Sequence, residues 1–130
     1  MMKLLIVDDH AGVRAMIRQL AALPAEAVRE CACGEEAIRV AREFAPDVVT
    51  MDIRLPGLGG FAVTRVIRAV HPATRVVMVS SYDQPELRQA AHLAGAASYV
   101  VKDNLGQLRP ILAPHEAASQ PAPNEPDRKN

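Results

Sequence analysis

The chain has no tryptophan, and only two phenylalanines and two tyrosines among its 130 residues. A core built almost without rings must be filled by Val, Leu, Ile, Ala and Met, and hydrophobic residues do make up 49% of the sequence. Cysteine is equally scarce: Cys31 and Cys33 are the only two. Two such ligands do not close a structural zinc site, which normally needs a full tetrahedral set. A disulfide across one intervening residue is strained. Free thiols are therefore expected, with Cys31 a small core residue on a strand. There is no excess of charge of either sign, since Lys plus Arg and Asp plus Glu number 15 each. No net field draws the chain toward nucleic acid or a membrane surface. No apolar run approaches the ~20 residues of a membrane span. The run from Met1 to Val7 meets Asp8 too soon to be a signal peptide's apolar region. The expectation is one cytoplasmic domain with no direct nucleic-acid partner and no membrane partner.

What the sequence does contain is a series of short apolar runs that end in chemically active side chains. Lys3–Val7 ends in Asp8 and Asp9. Asp47–Met51 ends in Asp52, with a Pro56-Gly57 turn close behind. Arg75–Val79 ends in Ser80, and Ala97–Val101 ends in Lys102. A weaker run spans Val28–Cys31. Between these runs the apolar spacing becomes helical. Ala11–Leu23 carries Val13, Met16, Ile17 and Leu20 on one side and is stopped by Pro24. Gly34–Phe44 is stopped by Pro46, and Phe61–Val70 by Pro72. Pro85–Ala94 has proline in its first turn and Gly95 at its end, the usual asymmetry of helix termini. Leu105–Leu112 is helical by composition but contains Pro110. An interior proline costs roughly 3 kcal/mol, so this helix is expected to be short or shifted. The foldable domain is placed at residues 1–113. Residues 114–130 carry four prolines among small and polar residues, and a disordered tail is expected there.

Strands alternating with helices imply βαβ units and a parallel sheet with right-handed crossovers. The carboxyl ends of such strands form the edge where ligands bind. Three carboxylates, a hydroxyl and an ammonium would then meet there, a set suited to a divalent cation together with an anion such as phosphate. Taken singly, each residue has a plainer reading. Adjacent Asp8 and Asp9 suit helix caps, Ser80 a loop, Lys102 a solvated charge and Tyr99 simple packing. Their convergence on one edge is what favours chemistry. His10, His71, His92 and His115 have no ligand spacing. Arg65, Arg68 and Arg75 are expected to be solvated.

With these residues placed, the chain resembles the receiver domain of bacterial two-component response regulators. Four motifs carry the likeness: Val7-Asp8-Asp9-His10, Met51-Asp52-Ile53-Arg54-Leu55-Pro56-Gly57, Val79-Ser80-Ser81 and Tyr99-Val100-Val101-Lys102. The resemblance implies an α/β fold, a flavodoxin-like three-layer sandwich with a five-stranded parallel sheet in order 2-1-3-4-5 and five helices. It implies that Asp52 is the phosphoacceptor and that Asp9, Asp52 and the backbone carbonyl of Arg54 hold Mg²⁺, with Asp8 acting through water. Ser80 and Lys102 would contact the phosphoryl group, while Ser80 and Tyr99 form the switch. The implied donor is a histidine kinase or a histidine phosphotransfer protein, and the output a separate effector protein, with a homodimer left open. Asp103 follows the lysine, as in the subfamily whose longer members carry a helix-turn-helix domain, so no cis-proline is expected there.

Other classes fit less well. A haloacid-dehalogenase-type phosphohydrolase also uses a strand-end aspartate with Mg²⁺, but typically has a second aspartate two residues on, where Arg54 stands here. A binding-only receiver-like dimerisation module, not controlled by phosphorylation, would be signalled by loss of an acid or of the lysine, and none is lost. A DNA-binding regulator would need an output domain, and the residues after Ala113 are too few and too polar to form one. A stand-alone phospho-receiver, not a turnover enzyme, is the expected function.

Overall fold

The computed structural model describes residues 1–113; the tail expected over 114–130 lies outside the described residues. Five strands, β1 (Leu4–Val7), β2 (Val28–Cys31), β3 (Val48–Asp52), β4 (Arg75–Ser80) and β5 (Ser98–Val101), form one sheet in the order β2-β1-β3-β4-β5. Every pairing is parallel. Helices α1 (Ala11–Ala21), α2 (Gly34–Phe44), α3 (Gly60–Val70) and α4 (Pro85–Ala94) connect successive strands, and α5 (Leu108–Leu112) ends the described chain. The architecture is the flavodoxin-like sandwich expected from the sequence.

Strands β1 and β3 are buried along their whole length. A strand covered on both faces needs apolar side chains on both, so its sequence is a continuous run and does not alternate. Leu5, Val49, Met51 and Met78 face α2, α3 and α4. Leu4, Ile6, Val48 and Val77 face α1 and α5.

The last helix is short and shifted within Leu105–Leu112, as Pro110 led one to expect. After β5 comes a 3-10 segment, Lys102–Gln107, kinked at Asn104 (φ −134°, ψ 49°), and only then the five-residue α5. Pro110 falls in the first turn of α5, where its missing N–H would have had no helical partner in any case. Leu108 and Leu112, both fully buried, hold this short helix down, each contributing about 1.5–3 kcal/mol of burial. Helix α1 ends two residues before the predicted Leu23. Ala22 caps it in the left-handed region (φ 52°), and Ala45 does the same for α2 (φ 50°). Arg68 is not solvated as expected. It is part-buried, and its guanidinium donates to the carbonyls of Pro72 and Thr74. Both cysteines are free, and burial pushes the Cys31 thiol up to about 12.

Candidate phosphoacceptor site

Strand register alone brings the site together. Val7 pairs with Met51, so Asp8 comes level with Asp52. Asp52 pairs with Val79, one residue before Ser80, and Ser80 pairs with Val101, one residue before Lys102. All four groups therefore emerge at the carboxyl edge of the three central strands and β5. Asp8 and Ser80 are each 1% exposed and Asp52 6%, whereas Asp9 is open to solvent.

The acids are held from several sides. Asp8 Oδ1 accepts the His10 N–H at 2.8 Å, and Arg14 donates to the Asp8 carbonyl at 2.8 Å. Asp52 Oδ1 accepts the Arg54 N–H at 3.4 Å. Lys102 Nζ lies 2.9 Å from Asp8 Oδ2 and 3.5 Å from Asp52 Oδ1, so two buried carboxylates share one ammonium. Behind Asp52, Gly60 packs so closely that a Cβ there would lie 2.0 Å from the Asp52 carbonyl oxygen. Only glycine lets α3 begin at that distance.

The electrostatics follow from this crowding. Burial, then the neighbouring Asp8 charge, raises the Asp52 carboxyl above its ordinary value, and Lys102 only partly offsets them. For Lys102, burial works to lower the ammonium. The bond to Asp8 and the Asp52 charge outweigh it, and the net shift is upward. Carboxylate oxygens of Asp8, Asp9 and Asp52 lie within 4.8 Å of one another. Three carboxylates facing one ammonium leave a negative excess in a site made of hard oxygen donors. That donor set fits Mg²⁺, which takes oxygen ligands and keeps several waters.

The structure also gives a definite role to His10, expected only not to be a ligand, and to Tyr82, which carries no sequence expectation. His10 is the N-cap of α1, with Nδ1 accepting the Val13 N–H at 3.2 Å. The capping role considered for Asp8-Asp9 thus belongs to the next residue. No expectation attaches to Tyr82. Its N–H donates to Ser80 Oγ at 3.0 Å, and its carbonyl accepts the Tyr99 hydroxyl at 2.7 Å. The Arg54 guanidinium sits 4.6 Å over its ring. The available signal was thin: a tyrosine two residues beyond the strand-end serine.

The sequence profile of the response regulator receiver domain matches residues 4–113. The chain belongs to the response regulator receiver family. Relatives include the response regulator GacA of Pseudomonas aeruginosa, 40% identical over 104 residues that cover 78% of this chain and 49% of that protein. The response regulator UvrY of Escherichia coli is 38% identical over 78% of this chain and 48% of its own length. The chain thus spans about half the length of the curated relatives it matches. Among solved structures, a LuxR-family two-component response regulator from Aurantimonas is 34% identical with a TM-score of 0.73, covering 91% of this chain and 92% of that one. The chemotaxis protein CheY4 of Vibrio cholerae superposes with a TM-score of 0.78 at 29% identity, over 86% of this chain and 96% of that one. Among the described residues of this chain, no helix is long and apolar enough to cross a membrane.

Proposed function

We propose that this receiver takes a phosphoryl group onto Asp52 from a phosphohistidine of a histidine kinase or histidine phosphotransfer protein. The observation that carries the reading is the meeting of Asp8, Asp9 and Asp52 with Lys102 at one strand edge. A carboxylate oxygen of Asp52 would attack phosphorus. The bond from phosphorus to the donor nitrogen would break, its electron pair leaving with the imidazole. Asp9, Asp52 and the Arg54 carbonyl would hold Mg²⁺, with Asp8 orienting a bound water. Bound there, Mg²⁺ supplies the positive charge that lets a carboxylate approach an anionic phosphoryl group.

The remaining work falls to the chain's own side chains. Lys102 already bridges Asp8 and Asp52, and a short swing of its flexible stem would place Nζ on a phosphoryl oxygen. Ser80 accepts the Tyr82 N–H, which leaves its own O–H free to donate. No general base is needed, because the attacking carboxylate carries no proton to remove. In this reading the chain is not a turnover enzyme. Self-phosphorylation from a small donor and slow self-dephosphorylation are its only reactions.

The output would leave through the face formed by α4, β5 and the segment around α5, docking on a separate effector in the cytoplasm or on a second copy. Leu93, 73% exposed on α4, and the half-buried Tyr99 lie on that face. With equal numbers of acidic and basic residues, the chain has no general attraction to nucleic acid. The test is incubation with Mg²⁺ and acetyl phosphate followed by intact mass. Wild type should gain one phosphoryl mass and Asp52→Asn none. Retention of the added mass in the variant would defeat the assignment.

A further inference from the structure

Tyr99 is held at two points, and both holds start from the same loop. Its hydroxyl donates to the carbonyl of Tyr82 at 2.7 Å. Its ring lies under the guanidinium of Arg88, 4.7 Å from the ring centre. Arg88, on the first turn of α4, is in turn fixed by Asp83, with Nε 2.6 Å from Oδ1. Tyr82 and Asp83 are neighbours in the β4–α4 connection, which begins immediately after Ser80, the last residue of β4. Ser80 itself accepts the Tyr82 N–H.

We propose that Arg88, oriented by Asp83, is a positioning residue that latches the Tyr99 ring and sets the balance between its rotamers. This rests on the reading of Ser80 and Tyr99 as the switch. The chemistry of each contact suits the task. A planar guanidinium stacks on an aromatic face, and its edge remains free to bond a carboxylate. Asp83 occupies Nε and so fixes the plane of the guanidinium over the ring. An ammonium could supply charge there but not a stacking plane.

The geometry also makes the latch releasable. Arg88 and Asp83 are largely exposed, with side chains 46% and 62% accessible, so their pairing is weak and screened by salt. A strong, buried pair would fix Tyr99 permanently. A weak one biases two states that are already close, as a switch requires. A pull on Ser80 displaces the connection that carries both Tyr82 and Asp83. One movement therefore loosens the hydroxyl hold and the ring hold together. A cavity of about 200 Å³ lined by Arg88, Ala91, Ala96 and Tyr99 adjoins the ring, giving this corner room to rearrange.

The chain has only two tyrosines, so tyrosine-selective ¹³C labelling gives a spectrum of two residues, assigned with Tyr82→Phe. Spectra of the full chain are recorded with Mg²⁺, before and after acetyl phosphate, for wild type, Arg88→Ala, Arg88→Lys and Asp83→Asn. In wild type the Tyr99 signals should move on phosphorylation. Arg88→Ala should change the Tyr99 rotamer ratio about five- to tenfold, the factor expected for one cation–π contact and one exposed ion pair. Asp83→Asn should give a smaller change, reproduced in wild type by high salt, and Arg88→Lys should restore the wild-type ratio only in part. Amide spectra and melting temperature report whether each variant is folded. Tyr99 signals that respond to phosphorylation but are identical in wild type and Arg88→Ala would overturn the latch and leave the switch standing. Tyr99 signals that ignore phosphorylation in every variant would overturn the switch reading, and the latch with it.

Discussion

Asp52 is placed where its own charge is unwelcome, and stability should register that. Its carboxyl is raised above the ordinary 3.8 by burial and by Asp8. For an acid raised in the folded state, the folded chain binds the proton more tightly than the unfolded one. Stability is therefore lost as pH rises from 3.8 through the folded value. Asp52→Asn should remove that penalty, so at neutral pH without Mg²⁺ the variant should melt higher than wild type. Adding Mg²⁺ should raise the melting temperature of wild type and leave Asp9→Ala unchanged; equal shifts in both would misplace the cation site. Gly60 carries the opposite constraint. A methyl group there would meet the Asp52 carbonyl at 2.0 Å, against backbone that cannot yield. Gly60→Ala should cost about 3 kcal/mol in a urea titration and abolish phosphorylation. Wild-type stability in that variant would show that α3 can shift away.

At the level of elements, the helix ends and the α1–β2 contact carry the clearest consequences. Ala22 and Ala45 hold left-handed conformations at the ends of α1 and α2. A residue with a Cβ pays ~1–2 kcal/mol there, and glycine is free of that cost but loses more chain entropy. Ala22→Gly and Ala45→Gly should each stabilise the fold by about 0.5–1 kcal/mol, measured by chemical denaturation, although most substitutions by glycine in this chain would weaken it. Glu30 on β2 is bonded to Arg14 and Arg18 of α1, at 2.9 and 2.6 Å. Burial acts to raise its carboxyl, but the two arginines outweigh that and hold it below the ordinary 4.5. Here the sign is reversed: the stabilisation is complete above 4.5 and is lost as pH falls through the lowered value. Glu30→Gln should flatten the acid limb of the stability curve. An unchanged limb would mean the two arginines do not act on Glu30 in solution.

For the fold as a whole, what was legible in the sequence was the strand-end pattern. Strands buried on both faces must be continuous apolar runs, so the first residue after each run marks the sheet's carboxyl edge. That is why Asp8, Asp52, Ser80 and Lys102 fall into one group on sequence grounds alone. Contacts made by chain folded back on itself left no such mark. Tyr82 touches Arg54, Ser80 and Tyr99 only because the β4–α4 connection bends over the site. The left-handed caps sit on alanine, where glycine would have announced them. Pro110 pointed to a broken helix. The 3-10 segment before α5 supplies the turn that moves the proline to a harmless position. Arg68 looked like a surface charge because its partners are backbone carbonyls, which sequence does not distinguish.

Phosphorylation of Asp52 should reshape the α4–β5 face, and amide NMR of the full chain, before and after Mg²⁺ with acetyl phosphate, reads that change residue by residue. The expected result is a continuous set of shifts from Asp52 and Ser80 through Tyr82 and Asp83 into α4 and Tyr99, absent in Asp52→Asn. Shifts confined to the residues around Asp52, with α4 and β5 unmoved, would refute the coupling between Asp52 and that face.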